Sequence, residues 1–268
     1  MQPRILPVLS ALLVFNLATP TYAHFGMIIP SANRVHQQQP TVHLDLSFSH
    51  PFTGQGMDLL RPAAFYASKD GKREELSARL TATKIMGHQG WGLDYTPARP
   101  GVYWFIMEPQ PYWEAAENRS IIHYTKTALS AFDGDEGWAA PLGLKTEIVP
   151  LLRPFGNYAG NSFVGQVLLD GKPVPGSMVE VEYYDQAKKQ TGQKALRAPS
   201  AAHVSQVIRA DGQGIFSFTC PAAGWWGFAA LNAAAFTLKD PQGQEQEVEL
   251  GAVLWLYLDP FPQPGSLP

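Results

Sequence analysis

The chain has 268 residues, 45% of them hydrophobic and 16% charged, with a formal net charge of −3 and a pI near 6.2. This mild balance, without a basic cluster, excludes the electrostatic footprint of a nucleic-acid binder. A single cysteine, Cys220, excludes an intramolecular disulfide, so stability has to come from a packed core, which a chain of this size can build.

Residues 1–23 have the three parts of an export signal: a short positive start at Met1 to Arg4, an apolar run from Ile5 to Ala18, and small residues Thr21 and Ala23 before a cut. The apolar run falls short of the about 20 residues that a spanning helix needs. The expectation is cleavage after Ala23, a mature chain beginning at His24, and a periplasmic location. The most apolar later run, GAVLWLYL at 251–258, is short and reads as a buried strand.

With 24 glycines and 23 prolines spread among Val, Tyr, Phe, Trp and Thr, the composition points to an all-β chain with many turns. VHLDLSFSH (42–50) alternates: Val42, Leu44, Leu46 and Phe48 share one face, and His43, Asp45 and Ser47 the other. AAFYAS leads to a hairpin turn at Lys69-Asp70-Gly71-Lys72, and residues 76–85 offer a strand pair or a twisted edge. WGLDYTPARPGVYWFIMEP reads as strand, turn at Pro100-Gly101, and a fully buried strand from Val102 to Met107; SIIHYTKTAL (120–129) is another strand. Residues 130–157 lack a period, and a second module begins near Thr146. There GQVLLDGKPVPGSMVEVEYYD turns at Asp170-Gly171, in text typical of small immunoglobulin-like and carboxypeptidase-regulatory-like sandwiches. ADGQGIFSF turns at Asp211-Gly212, and GWWGFAAL and VELGAVLWLYL complete the sheet. The expected architecture is a signal peptide (1–23) followed by two tandem immunoglobulin-like β-sandwich modules, 24–145 and 146–268. One larger sandwich with long loops is the alternative.

Six of the seven histidines, His24, His36, His43, His50, His88 and His123, precede residue 146, and only His203 follows it. Neutral imidazole suits Ni, Cu and Zn, so the skew points to a transition metal. A histidine freed at the chain start offers both its alpha-amine and its ring to one ion. His50 ends a strand before Pro51, His88 sits in the glycine-rich MGHQGWG, and His123 shares a strand face with Ile121 and Thr125. A buried ring at 123 needs a hydrogen-bond partner or a metal. His43 reads as solvent-facing and His36 as a loop residue. Such a nitrogen-rich set prefers Ni(II) or Cu(II) over Mg or Ca, and affinity order alone favours copper.

Other chemistry is thinly marked. No nucleophile elbow or phosphate loop is present. Glu108, Glu114 and Glu117 in MEPQPYWEAAE form a weak candidate acid-base set, with Glu108 the first choice as an accessory oxygen ligand. Met27, Met57, Trp225, Trp226 and Trp255 read as packing, and Cys220 as buried.

HFGMIIPS, LSFSHPFTGQGMDL, MGHQGWGLDYTPARPGVYWF, MEPQPYWE, IIHYTKT, PLGLKTEIVPLLRPFGNYAGN, VLLDGKPVPG and AGWWGFAALN together resemble the exported periplasmic component of bacterial nickel/cobalt uptake systems of the energy-coupling-factor type. That widespread exported family was long labelled as of unknown function. The resemblance spans His24 to about Leu258. It implies a periplasmic, non-enzymatic protein that binds Ni(II) or Co(II) as cargo and works with the membrane subunits of a nickel/cobalt transporter. The family's mature start matches His24, and its histidine motifs match His50, His88 and His123, which makes these four the implied metal ligands. Two other functions stay open: a copper histidine-brace protein, chaperone or oxidative enzyme, holding Cu(II), and an adhesion module with incidental histidines.

Overall fold

The computed structural model describes residues 24–189 and 195–262, and the expected signal peptide lies outside them. The chain is all-β, as its composition requires. No helix among the described residues is long and apolar enough to cross a membrane.

Local sequence explains most strand limits. Val42–His50 forms a strand whose first half alternates as expected, with Val42 and Leu44 buried, His43 exposed and Asp45 half-buried, but from Leu46 to His50 every residue is buried, Ser47 included, because this end is covered on both faces. Asp70 and Gly71 both take positive φ (51° and 71°) between strands Ala64–Lys69 and Lys72–Glu75, and Asp170 and Gly171 repeat the pattern at 51° and 71°. Two successive positive φ values match the right-handed twist of the flanking strands, which is why Asp-Gly recurs there. A strand does begin at Thr146, Thr146–Pro150. Residues 76–85 form a short 3-10 turn, Ser77–Arg79, and one strand, Thr81–Ile85.

The two expected modules are joined more tightly than a tandem arrangement implies. One eleven-stranded sheet takes strands from both halves. They meet where Arg119–Ala131 lies parallel to Val248–Asp259, with Ser120 opposite Val248 and Thr127 opposite Trp255. A five-stranded sheet built around Val42–His50 covers one face of this large sheet, and a four-stranded sheet from the second half covers the other. Gly101–Glu108 shows the consequence: Tyr103, Phe105 and Met107 enter one core while Val102, Trp104 and Ile106 enter the opposite one. A strand buried on both faces has no polar side, hence its unbroken apolar run. Cys220 is buried, and burial pushes its thiol up to about 12, so it stays protonated and packs.

Arg119–Ala131 is the strand that positions the site. Its alternate residues face different layers: Ile121, His123 and Thr125 look toward the N-terminal strand Phe25–Pro30, and Lys126 looks toward Glu147 in the other core.

Candidate metal centre

Strand register brings the first two histidines together. Phe25–Pro30 runs antiparallel to Val42–His50 with Phe25 opposite Ser49, so the next step outward sets His24 opposite His50. Their rings lie 4.6 Å apart between centroids. His24 also stacks on Phe48 at 5.6 Å, and the other side of the Phe48 contact shell is His123 at 5.7 Å.

His123 is delivered from a distant strand by two pins on Gly26. The Gly26 N–H donates to His123 Nδ1 at 3.4 Å, and Trp255 Nε1–H donates to the Gly26 carbonyl at 2.8 Å. Glycine is required on both sides of the ring. A Cβ on Gly251, directly opposite His123 on the parallel strand, would run into the imidazole, and one on Gly26 would strike Thr125 Oγ1. Replacing Gly251 with alanine is therefore expected to tilt His123 off this face, costing roughly 1–3 kcal/mol of stability. Unchanged His123 ring resonances in the variant would refute the cradle.

Carboxylates border the rings. His24 Nε2 stands 3.0 Å from Glu114 Oε2, and His123 Nε2 stands 3.5 Å from Glu249 Oε1. Burial, followed by the neighbouring His50, lowers the His24 pKa to about 4, although Glu114 and Glu249 pull the other way. At neutral pH the His24–Glu114 contact is thus a neutral imidazole against a carboxylate rather than a full ion pair. Burial works against ionisation of Glu249, but His123, Arg119 and His24 together hold its carboxyl below the ordinary range. A cavity of about 30 Å³ touches Gly26, Phe48, Tyr112, Ile121 and His123, room for roughly one water-sized species. Arg119 and Glu249 also line a larger groove of about 640 Å³.

Of the four histidines expected as ligands, the structure gathers His24, His50 and His123 and leaves His88 aside. His88 starts strand His88–Tyr95, its side chain 45% exposed, with Nδ1 3.4 Å from Asp58 Oδ1 and its ring against Gly56. The glycine-rich turn that suggested close approach instead serves the short strand Gln55–Met57. His43 faces solvent beside Asp45 and Asp94, and His36 lies exposed on its loop, as expected. Glu108 is not near the site: it accepts a hydrogen bond from Tyr66 Oη at 3.1 Å and lies by Arg73. Glu114, not Glu108, is the carboxylate of that stretch that lies beside a histidine, carried by strand Tyr112–Glu114 along the start of Arg119–Ala131. Glu249 carries no local signal beyond its strand. Among the described residues no three His, Cys, Asp or Glu side chains are set to grip one ion as they stand. In the uncut chain, moreover, the His24 nitrogen is an amide, not an amine.

A family model described as a domain of unknown function (DUF4198) matches residues 21–234. No curated protein sequence matches. Similar solved structures include latent PorU from Porphyromonas gingivalis (11% identity, TM-score 0.25, covering 93% of this chain and 22% of PorU). The D0-D1 domain of intimin is similar at 8% identity and TM-score 0.25, covering 88% of this chain and 100% of that one. The tandem immunoglobulin domains A164-A165 of titin follow at 10% identity and TM-score 0.19, covering 89% and 100%. Likeness at these scores transfers nothing about activity.

Proposed function

The chain belongs to the DUF4198 family, and from that premise we propose that it is an exported, non-enzymatic carrier of Ni(II) or Co(II) that works in the periplasm beside the membrane subunits of a nickel/cobalt importer. One observation carries the reading: His24, the residue expected to start the mature chain, has its ring 4.6 Å from that of His50 and shares Phe48 with His123.

The chemistry follows from which nitrogen is engaged. Glu114 occupies the Nε2 side of His24, which leaves Nδ1, the nitrogen nearer the backbone, to close a chelate with the freed alpha-amine. A carboxylate on the outer ring nitrogen is the usual device for fixing a ligand's tautomer and orientation. With its pKa near 4, the His24 ring has no proton to lose at neutral pH. The amine, ordinarily near pKa 8, does, so acid weakens binding through the amine first. The three histidines and the amine supply nitrogen donors of borderline softness, suited to Ni(II), Co(II) or Cu(II).

Titration of Ni(II) into protein that begins at His24, into protein with one residue left before it, and into His24→Ala tests this. The extended form and the variant are expected to bind at least about tenfold more weakly; equal affinity of the cleaved and extended forms would sink the chelate. The His24–His50 pair also favours a second reading, a copper histidine brace. Oxidised sugars formed from polysaccharide with copper and reductant would replace transport with that chemistry.

A further inference from the structure

Strand Arg119–Ala131 has a second face. Tyr124, next to His123 in the chain, enters the opposite layer together with Trp104 and Tyr66 from the neighbouring strands. No residue of the four-stranded sheet lines this corner of the large sheet. The segment 136–145 passes over it instead, leaving a cleft of about 580 Å³, a size typical of small-molecule sites. Both ends of that segment are fixed. Gly134 packs so closely on Gly101 that a Cβ would strike its backbone, and the Leu142 and Gly143 N–H groups donate to Glu147. The cleft is therefore formed before anything enters it.

Its floor is aromatic, and its polar groups are not all spent. Trp104 is 2% exposed, and its Nε1–H is buried with no hydrogen-bond partner among the described residues. Buried polar groups are almost always paired, so an unmet donor on a residue that lines a ligand-sized cleft points to an acceptor from outside the chain. The Ser68 and Tyr124 hydroxyls and the Glu136 carboxylate, which also line the cleft, form no hydrogen bond among the described residues.

The charges narrow the ligand. Asp70 is held by Lys69 and Arg99, and Lys145 by Asp170. Arg73 lies beside Glu108, which also accepts from Tyr66 Oη at 3.1 Å. An anion entering here would meet the carboxylates of Asp70, Glu108 and Glu136 and no unpaired cation, while a cation would meet Arg73 and Lys145. A neutral polyhydroxyl ring avoids both costs. Its hydroxyls donate to carboxylates and accept from N–H and O–H groups, and its C–H face packs on an aromatic ring.

We propose that this cleft is a binding site for a short neutral saccharide, resting on Tyr124 and Trp104 and bordered by Glu108 and Glu136. It lies on the face of the strand opposite to His123, so the inference stands independently of the metal-carrier reading.

Calorimetric titration of the protein beginning at His24 tests this, with maltose, cellobiose, lactose and chitobiose as neutral probes and choline and glucose 6-phosphate as charged ones. At least one of the neutral disaccharides is expected to saturate the protein with a millimolar or tighter Kd. Tyr124→Leu, which removes the aromatic platform, is expected to weaken that binding about tenfold or more. Glu136→Gln at the exposed rim is expected to weaken it about threefold, and His24→Ala to leave it unchanged. The proposal is overturned by no saturation with any of the sugars up to about 10 mM, or by tighter binding of choline or glucose 6-phosphate than of every sugar. Sugar affinity unchanged in Tyr124→Leu overturns it as well, and so does affinity lost in His24→Ala, which would put the sugar on the histidine face. Thermal unfolding checks that each variant folds. If Tyr124→Leu does not, Glu136→Gln and Ser68→Ala carry the comparison, and unchanged affinity in both overturns the site.

Discussion

Replacing Glu147 with leucine is expected to lower the thermal midpoint by roughly 10 °C, and adding Lys126→Met to that variant is expected to recover part of the loss. Lys126 and Glu147 form an ion pair at 2.6 Å, each side chain only 1% exposed. Burial pulls the Lys126 ammonium below its usual value, and Glu147 opposes that pull. Glu147 is saturated: besides Lys126 it accepts the N–H of Leu142 at 3.0 Å and of Gly143 at 2.9 Å, tying the loop before Thr146 to the strand that carries His123. Removing one member of a buried pair strands the other, at about 3–5 kcal/mol. For a chain of this size each kcal/mol moves the midpoint by about 2–4 °C. The double variant no longer buries a charge and keeps only the cost of two unpaired N–H groups, about 1–3 kcal/mol each at most. Lys126→Met alone should cost less than Glu147→Leu, because Glu147 then retains its backbone donors. Differential scanning calorimetry on the three variants decides the matter. Midpoints for the double variant at or below that of Glu147→Leu would show that the pair's charge is not what makes the single change costly.

The same strand shows which parts of the molecule were legible in the sequence. Period, turn residues and apolar runs are local properties, so strands such as Val42–His50 and the Asp-Gly hairpins could be read directly. Pairing between strands far apart in the chain is not local. His123 faces Gly251 only because two long strands run parallel in register across both halves, and Glu249 reaches the site by that same pairing. Nothing in VELGAVLWLYL distinguishes Glu249 from any polar residue at a strand edge. Two signals were present nonetheless. The unbroken apolar run of Gly101–Glu108 indicated a strand covered on both faces, and hence a sheet shared by the two halves. The glycines inside otherwise bulky strands, Gly26 and Gly251, indicated close approach of something, which proved to be the His123 ring. His88 misled for the opposite reason: glycine-rich surroundings permit close approach without saying to what, and its neighbours are Gly56 and Asp58.

Glu182→Gln is expected to make the protein more stable than wild type at pH 8 and equally stable near pH 4. Glu182 is fully buried, and burial raises its pKa from 4.5 to about 7, while the Ser205 hydroxyl and the Phe52 N–H at 3.3 Å favour the ionised form and limit the rise. The folded carboxyl therefore holds a proton that the unfolded chain has already released between these values. Its contribution to stability is fully present below about pH 4.5 and is lost as pH rises through about 7. The shift corresponds to roughly 3 kcal/mol at most. Glutamine keeps the shape, can accept from Phe52 and donate to Ser205, and does not ionise, so it removes the alkaline loss without disturbing the acid state. His24 works with the opposite sign: its folded pKa of about 4 against 6.5 means that its contribution is present above about pH 6.5 and is lost as pH falls toward 4. Glu180, raised to about 7 by burial first and then by the Glu249 and Glu182 carboxylates, has the same sign as Glu182, so a raw pH profile of the wild type mixes all three, and the difference between wild type and Glu182→Gln reads Glu182 together with its effect on Glu180. Chemical denaturation of both proteins at several pH values between 4 and 8 should give a gap that opens by about 2–3 kcal/mol toward the alkaline end. A gap that stays constant across that range, or a variant less stable at pH 8, would mean that Glu182 is ionised in the fold and that its two donors, rather than its burial, set its charge.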